Sequence, residues 1–385
     1  MKILVVHNSL NDSKSLSGAL RHFLVMANEW TAMGHQTDFL CPKCAFPQIR
    51  ELAPHAGLIS SDNLFDATQY ISQTWRYLPA YAWRLITCHF TRLPEKYDVV
   101  FASSQILFEI QPAMVLARRL GAKLAVKIHH VVSAQRKPTG FFDRLFCYFE
   151  RRSGQWIHDR GDRLICSTQI VLDHFHEIQQ SLGISPSPGL TSGYGVDTAA
   201  FDQLTGEPKL YDVVHLSRIH QTKGVLDLPE IWHAVRAKHP HAKLLIIGEG
   251  PHRARTDQAF RDLGLSESVT FTGGIDELTK NRLVRQSKIG LSVSYEEGWG
   301  LSVNEFLAAQ LPVVAYRLPV FDLVFKNQLE SVPLGDKQAA AKSICLLLEN
   351  PDRCEELGVL GRAFVQSYDI GSVARAELAA LQSLF

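Results

Sequence analysis

The densest chemistry in this chain lies where Ser294-Tyr-Glu-Glu-Gly-Trp-Gly-Leu-Ser-Val-Asn-Glu305 follows an apolar run, Ile289–Val293. The run reads as a strand and the end of the segment as a helix, which leaves Gly298 and Gly300 in the turn between them. Glycines let a backbone approach a ligand closely and expose successive N–H groups. Backed by a helix read as Ser302–Ala309, such groups suit an anionic or polyhydroxylated ligand. Glu297 opens the turn and Glu305 sits about one turn into the helix, so two acceptor-only carboxylates are offered to hydroxyl donors such as those of a sugar or a ribose. An ordinary helix start, with acidic residues favouring the dipole, fits the same residues about equally well.

A second cluster, Leu216-Ser-Arg-Ile-His-Gln-Thr-Lys-Gly224, follows the apolar run Asp212–Leu216 and is read as opening a helix at Gly224. Arg218 and Lys223 then stand at the carboxyl end of a strand, where a diphosphate binds in open parallel sheets. A planar guanidinium and a compact ammonium together neutralise two phosphates. Weaker signals are Ser17-Gly18 before the first helical pattern and His129-His130 at the end of the run Lys123–Ile128. Gly248-Glu-Gly-Pro251 lacks the third glycine of a dinucleotide fingerprint. Cys41-Pro-Lys-Cys44 has metal spacing but no second pair beside it, so no metal site is expected.

The elements that must position these residues alternate. Strand patterns fall at Lys2–His7, Gln36–Leu40, Val99–Ser103, Lys123–Ile128 and Arg163–Ser167, with helical patterns between them. After a looser stretch from Ile184 to Phe201 the alternation restarts at Asp212–Leu216, Lys243–Ile247, Val269–Thr272, Ile289–Val293 and Pro312–Ala315. Most strand patterns are continuously apolar, as expected when helices cover both faces of a sheet. The fold class is therefore α/β, with two Rossmann-like, doubly wound parallel-sheet domains in tandem. The 385 residues carry 40 Lys and Arg against 39 Asp and Glu, which disfavours a general nucleic-acid binder. The basic residues are uneven: residues 118–163 hold 11 against 4 acidic ones. Just upstream, Trp75, Tyr77, Tyr81, Trp83 and Phe90 interleave with Arg76, Arg84 and Arg92, as in a segment that lies on a membrane surface or in an amphipathic crossover helix. The odd count of 7 scattered cysteines and the lack of a long apolar run point to the cytoplasm, with peripheral contact at the inner face of the membrane left open.

Taken in order, these residues resemble the retaining GT-B glycosyltransferases of family four (glycosyl transferases group 1). The resemblance runs through Ser17-Gly18-Ala19-Leu20-Arg21, Gly34-His35, Gly193-Tyr-Gly-Val-Asp197 with Phe201, Arg218 with Lys223-Gly224, Gly248–Pro251, and the Glu297 and Glu305 pair. It implies two domains facing a cleft: residues 1–190 for the acceptor, residues 191–366 for the nucleotide sugar, and a last helix within residues 367–385 that crosses back. It also implies that Arg218 and Lys223 hold the donor diphosphate, with Gly18 near it, and that Glu305 takes the ribose hydroxyls. Glu297, with Gly298, Trp299, Gly300 and Leu301, would meet the transferred sugar, and His129 would stand beside it. The co-substrate is then a nucleotide-diphosphate sugar, with no cofactor and no metal, and the acceptor a glycan, glycolipid or small molecule. The chain departs from the family pattern at Ser17, where glycine is common, at Gln310, where glycine is usual, at Trp299 in place of phenylalanine, and in Tyr316–Asp322, which lacks a glycine pair.

Other classes share this architecture. A sugar-nucleotide epimerase, a non-catalytic sugar- or nucleotide-binding protein and a pyridine-nucleotide oxidoreductase are the alternatives. The cation pair together with the spaced glutamates argues for transfer.

Overall fold

The computed structural model describes residues 1–8, 18–62, 78–135, 138 and 140–385. Ser17, Trp75, Arg76 and Tyr77 lie outside them. The chain forms two compact units, Met1–Gly195 joined by Ile370–Phe385, and Val196–Asp369.

In the first unit seven strands make one parallel sheet: β1 (Lys2–Val6), β2 (Gln36–Cys41), β3 (Gly57–Ser60), β4 (Val99–Ala102), β5 (Lys123–Ile128), β6 (Arg163–Cys166) and β7 (Gly189–Thr191), in the order β3-β2-β1-β4-β5-β6-β7. The central strands are buried along almost their whole length, which is why they read as unbroken apolar runs. On one face Leu20, Phe23, Leu24 and Trp30 of the helix Gly18–Ala32 pack with Val373, Ala374, Leu378 and Leu381 of the helix Ile370–Gln382. The Trp30 indole donates to the Ala374 carbonyl at 3.1 Å. The other face is covered by Leu107–Leu120, Phe141–Arg160 and Gln169–Ser181.

The second unit has six parallel strands: β8 (Tyr211–Leu216), β9 (Leu244–Ile247), β10 (Val269–Gly273), β11 (Ser287–Ser292), β12 (Val313–Tyr316) and β13 (Glu330–Val332), in the order β10-β9-β8-β11-β12-β13. Its core is built on Ile231, Trp232, Leu244, Ile246, Phe260, Ile289 and Leu291.

The sequence patterns miss β3, β7 and β13. All three are edge strands of three or four residues, only partly buried and paired on one side, so they carry no apolar run. The reading of Gly224 as a helix start is corrected. Gln221–Lys223 is a single 3-10 turn that Gly224 closes at φ 69°, and the helix begins at Leu228. Glycine is required there for a second reason, because a Cβ would collide with the Val293 carbonyl. Gln310, where the family usually has glycine, stands at φ 57°, the left-handed region that glycine enters without cost. Its side-chain oxygen receives the Arg285 guanidinium at 3.1 Å.

Candidate active site

Strand order in the second unit reverses between β8 and β11, and the loops that leave the carboxyl ends of these two strands meet there. The Tyr295 N–H donates to the Thr222 carbonyl at 2.8 Å, and Gly224 lies against Val293, so the two loops are in backbone contact. That contact brings side chains distant in sequence together. Lys223 Nζ donates to Glu297 Oε1 at 2.6 Å, and the Ser294 hydroxyl donates to the same oxygen at 2.8 Å. Both partners remain partly open to water, Lys223 by 24% and Glu297 by 14%. Arg218, on the same loop as Lys223, is exposed.

The glycines of Gly248-Glu-Gly-Pro251 have a packing reason. A Cβ at Gly248 would strike the Ser217 carbonyl and one at Gly250 the Ile219 carbonyl. The loop after β9 therefore lies flat against the Arg218 loop and fixes its path, with the Ile219 N–H donating to the Glu249 carbonyl at 2.8 Å. Beneath them His215 is buried on β8, with Nδ1 at 3.0 Å from the Leu291 carbonyl and Nε2 at 2.7 Å from the Ser217 hydroxyl. Burial first, and Lys223 after it, outweigh the Leu291 hydrogen bond and lower its pKa to about 4, so the ring is neutral at physiological pH.

Gly300 adopts φ 112° as the residue before the helix Leu301–Ala308, and Phe321 leaves no room for a side chain there. Trp299 is 5% exposed and packs edge-on against Tyr368, with ring centroids 5.0 Å apart, and against Phe325. Its indole anchors the turn in the core. Glu305 takes no part in the Lys223–Glu297 contact: its carboxylate is buried and Oε1 accepts from Lys280 Nζ at 2.5 Å. Lys280 and Ser294 are the residues near this site that the sequence reading passed over. Lys280 left a faint trace, since it shares the inward face of the helix Glu277–Arg285 with Asn281 and Val284.

His129, in the first unit, directly follows β5. Its Nε2 lies 2.7 Å from the Ser103 carbonyl and its Nδ1 is hydrogen-bonded to the Tyr194 hydroxyl. A carbonyl only accepts, so the proton is on Nε2 and Nδ1 accepts from Tyr194. Burial, then the His22 and Lys127 charges, hold its pKa well below the ordinary value. Behind it lies a buried ionic cluster. Lys127, the penultimate residue of β5, contacts Glu377 and donates to the Ser192 hydroxyl at 2.6 Å, while His22 Nε2 is 3.1 Å from Glu377. Gly18 begins the helix Gly18–Ala32 and is exposed.

Two family models match in tandem. Residues 16–189 match Glycosyltransferase Family 4 and residues 197–363 match Glycosyl transferases group 1. The chain belongs to the group 1 / family 4 glycosyltransferases. Among curated proteins it is 30% identical over 201 residues to a phosphatidyl-myo-inositol mannosyltransferase of Mycobacterium leprae, covering 51% of this chain and 53% of the relative. It is 24% identical over 182 residues to an alpha-monoglucosyldiacylglycerol synthase of Acholeplasma laidlawii, covering 47% and 45%. The matches thus span about half the length of these relatives. Among solved structures, Anabaena HepE in complex with UDP and glucose superposes with a TM-score of 0.76 at 16% identity, covering 100% of both chains. The fold is GT-B.

Proposed function

We propose that the chain transfers a hexosyl group from a nucleoside diphosphate sugar to an acceptor hydroxyl, with retention at the anomeric carbon and with fixed cations in place of a metal ion. The observation that carries this is the Lys223–Glu297 contact at the point where strand order reverses, with Arg218 exposed on the same loop. In this reading Arg218 and Lys223 hold the diphosphate. Glu297 and the backbone from Gly298 to Leu301 hold the sugar, and Glu305 takes the ribose hydroxyls. The bond from the anomeric carbon to the phosphate oxygen breaks while the acceptor oxygen attacks the same face. The leaving phosphate accepts the acceptor's proton, so no side chain need act as a base. His129, with both ring nitrogens engaged, is assigned no proton transfer.

The first unit is assigned to the acceptor. Two observations favour a lipid-linked one. The relatives' names place a phosphatidyl-myo-inositol and a glucosyldiacylglycerol in their reactions. In addition, Trp83, Ile86 and Phe90 form an exposed apolar stripe, 44%, 56% and 78% open, on and just after the helix Leu78–Thr87. No helix among the described residues is long and apolar enough to cross a membrane, so this contact would be peripheral. Thermal shift against UDP-, GDP- and ADP-sugars tests the donor, since a ligand that binds only the folded state raises Tm. Product NMR tests retention. Conversion of donor to its epimer without acceptor would overturn the transfer reading.

A further inference from the structure

The geometry points to Lys280 as a positioning residue that holds Glu305 for the donor's ribose. The inference rests on the ribose role proposed above for Glu305. Lys280 stands on the helix Glu277–Arg285 and Glu305 on the helix Leu301–Ala308, so their contact at 2.5 Å joins two helices of the second unit. The side chains are 7% and 8% exposed. A lysine and a glutamate are almost never buried to this degree unless paired, and the pair itself is a poor source of stability beside apolar residues of similar volume. Packing alone therefore gives little reason for it.

Direction gives a better reason. Lys280 Nζ also donates to Glu277 Oε1 at 2.5 Å, and Glu277 is 46% exposed. The ammonium is thus fastened at both sides, to a carboxylate open to water and to one that is not. Asp276 caps the helix by accepting the Thr279 N–H at 2.9 Å, which fixes the first turn from which Lys280 projects. A carboxylate has about four acceptor positions, and the Lys280 ammonium takes up one of them. Held in this way, the carboxylate meets a pair of ribose hydroxyls without first giving up rotamer freedom, the usual gain of a supported binding residue. Lys280 would act on nucleotide recognition and leave bond breaking almost untouched.

The readout is discrimination between ribose and 2′-deoxyribose, which a merely structural lysine would not move. UDP, GDP and ADP are titrated by calorimetry against wild type, and the tightest binder is then compared with its 2′-deoxy counterpart. A charge-assisted contact to one hydroxyl sets a preference of roughly 10-fold or more for the ribonucleotide. Lys280→Met should cut that preference to within about 3-fold of unity, as Glu305→Gln does, while Lys280→Arg restores part of it. For transfer, the donor KM should rise with kcat at saturation held within about 2-fold, the signature of a lost ground-state contact. Lys280→Gln, uncharged but still a donor, decides the matter should Lys280→Met fail to fold. If Glu305→Gln keeps the full preference, the ribose reading of Glu305 falls. If Glu305→Gln loses it while the folded Lys280 variant keeps it, that reading stands and the positioning role of Lys280 falls.

Discussion

The two sheets share the first six places of one strand order, reversing between β1 and β4 in the first unit and between β8 and β11 in the second, yet the two reversal points are furnished differently. At the first, the described residues His7, Asn8, Ser103, Ser104 and Glu109 are buried and held by local hydrogen bonds. His7 Nδ1 lies 2.8 Å from the Ser103 hydroxyl, Ser104 donates to Glu109, and the Asn8 amide donates to the Phe108 carbonyl at 2.9 Å. At the second, a cation and a carboxylate meet while still partly open to water, and a second cation is exposed beside them. A shared topology supplies a place for ligands, and the side chains decide what is put there. In the first unit charge is taken inward instead, into the Lys127–Glu377–His22 cluster. The Lys127–Glu377–His22 cluster is expected to serve structure and the partly open charges at the second reversal point to serve chemistry, a contrast that experiment can break.

The largest effect is expected from the buried cluster. Lys127 and Glu377 are both fully buried. Lys127→Met leaves the carboxylate without its cation and should destabilise the fold by about 3–5 kcal/mol, while Lys127→Met with Glu377→Leu recovers much of this. His22, 3.1 Å from Glu377, can take up a proton in place of the lysine, so the loss should shrink as pH falls. Chemical denaturation of the three proteins at two pH values checks both parts. A variant with wild-type stability and impaired turnover would reverse the roles assigned to the two units.

Next come Arg218 and Lys223. Negative charge grows on the leaving diphosphate, and preorganised cations stabilise it more as it develops. Alanine at either position should lower kcat/KM by about 10²–10³-fold, mostly in kcat, with Tm little changed. Arg218→Lys should recover only part, because a point charge does not reproduce a two-pronged contact. Activity should survive EDTA. Loss of wild-type activity in EDTA with recovery in Mg²⁺ would defeat the cation-only proposal, and near-normal turnover of both alanine variants would defeat the diphosphate assignment.

The pattern of alternating apolar strands and helices was enough to read the central strands of both sheets, because burial on two faces leaves an unbroken apolar run. Edge strands such as Glu330–Val332 were not legible, since pairing on one side imposes no such composition. The turn that carries Glu297 and Gly300 was legible because glycine has few other uses between a strand and a helix. The partners of the glutamates were not. Lys223 lies 74 positions from Glu297 and Lys280 lies 25 from Glu305, and no periodicity links residues on different elements. Lys127 and Glu377 did leave a mark, a cation inside the run Lys-Leu-Ala-Val-Lys-Ile and an acid on the apolar stripe of Val373, Ala374, Leu378 and Leu381. Charged residues in apolar phase are a signal that composition alone does not weigh. The same limit applies to Arg84, counted among the basic residues of the aromatic stretch. The structure buries it at 1% exposure, with its guanidinium over the Tyr81 ring and donating to the Ser61 carbonyl.

The histidines extend the contrast to pH. Burial lowers the pKa of His7, His22, His35 and His129 in the first unit and of His215 in the second. A histidine whose folded pKa lies below its unfolded value near 6.5 gives stability that is whole above that pH. The stability is lost as pH falls, because the unfolded chain takes the proton first. For His215 the loss runs from about 6.5 down to about 4. Each such group contributes a slope of up to about 1.4 kcal/mol per pH unit. Four against one places the greater acid sensitivity in the first unit. Hydrogen exchange between pH 7 and 5, on the order of those values for histidine, should show its central strands losing protection before β8 and β11 do. Equal loss in both sheets would remove the asymmetry.

The smallest effect concerns the outer surface of the first unit. The stripe of Trp83, Ile86 and Phe90 is apolar and exposed, and Arg92 beyond it is exposed as well, so the helix Leu78–Thr87 presents to water the kind of face that interfacial helices lay on lipid. With Arg84 buried, the electrostatic share falls to exposed basic residues such as Arg92. Each basic residue near an anionic surface contributes about 1 kcal/mol, so Arg92→Ala should weaken partitioning by roughly 5-fold, and added salt should weaken it further. Phe90→Ser should weaken it regardless of salt, since burial of an apolar side chain is not screened. Flotation with phosphatidylcholine vesicles, with and without phosphatidylglycerol, separates these terms. Arg84→Ala should lower stability and leave the salt dependence of flotation unchanged, because its charge never faces the bilayer. Flotation equal on both vesicles, or absent from both, would leave the stripe without a lipid role.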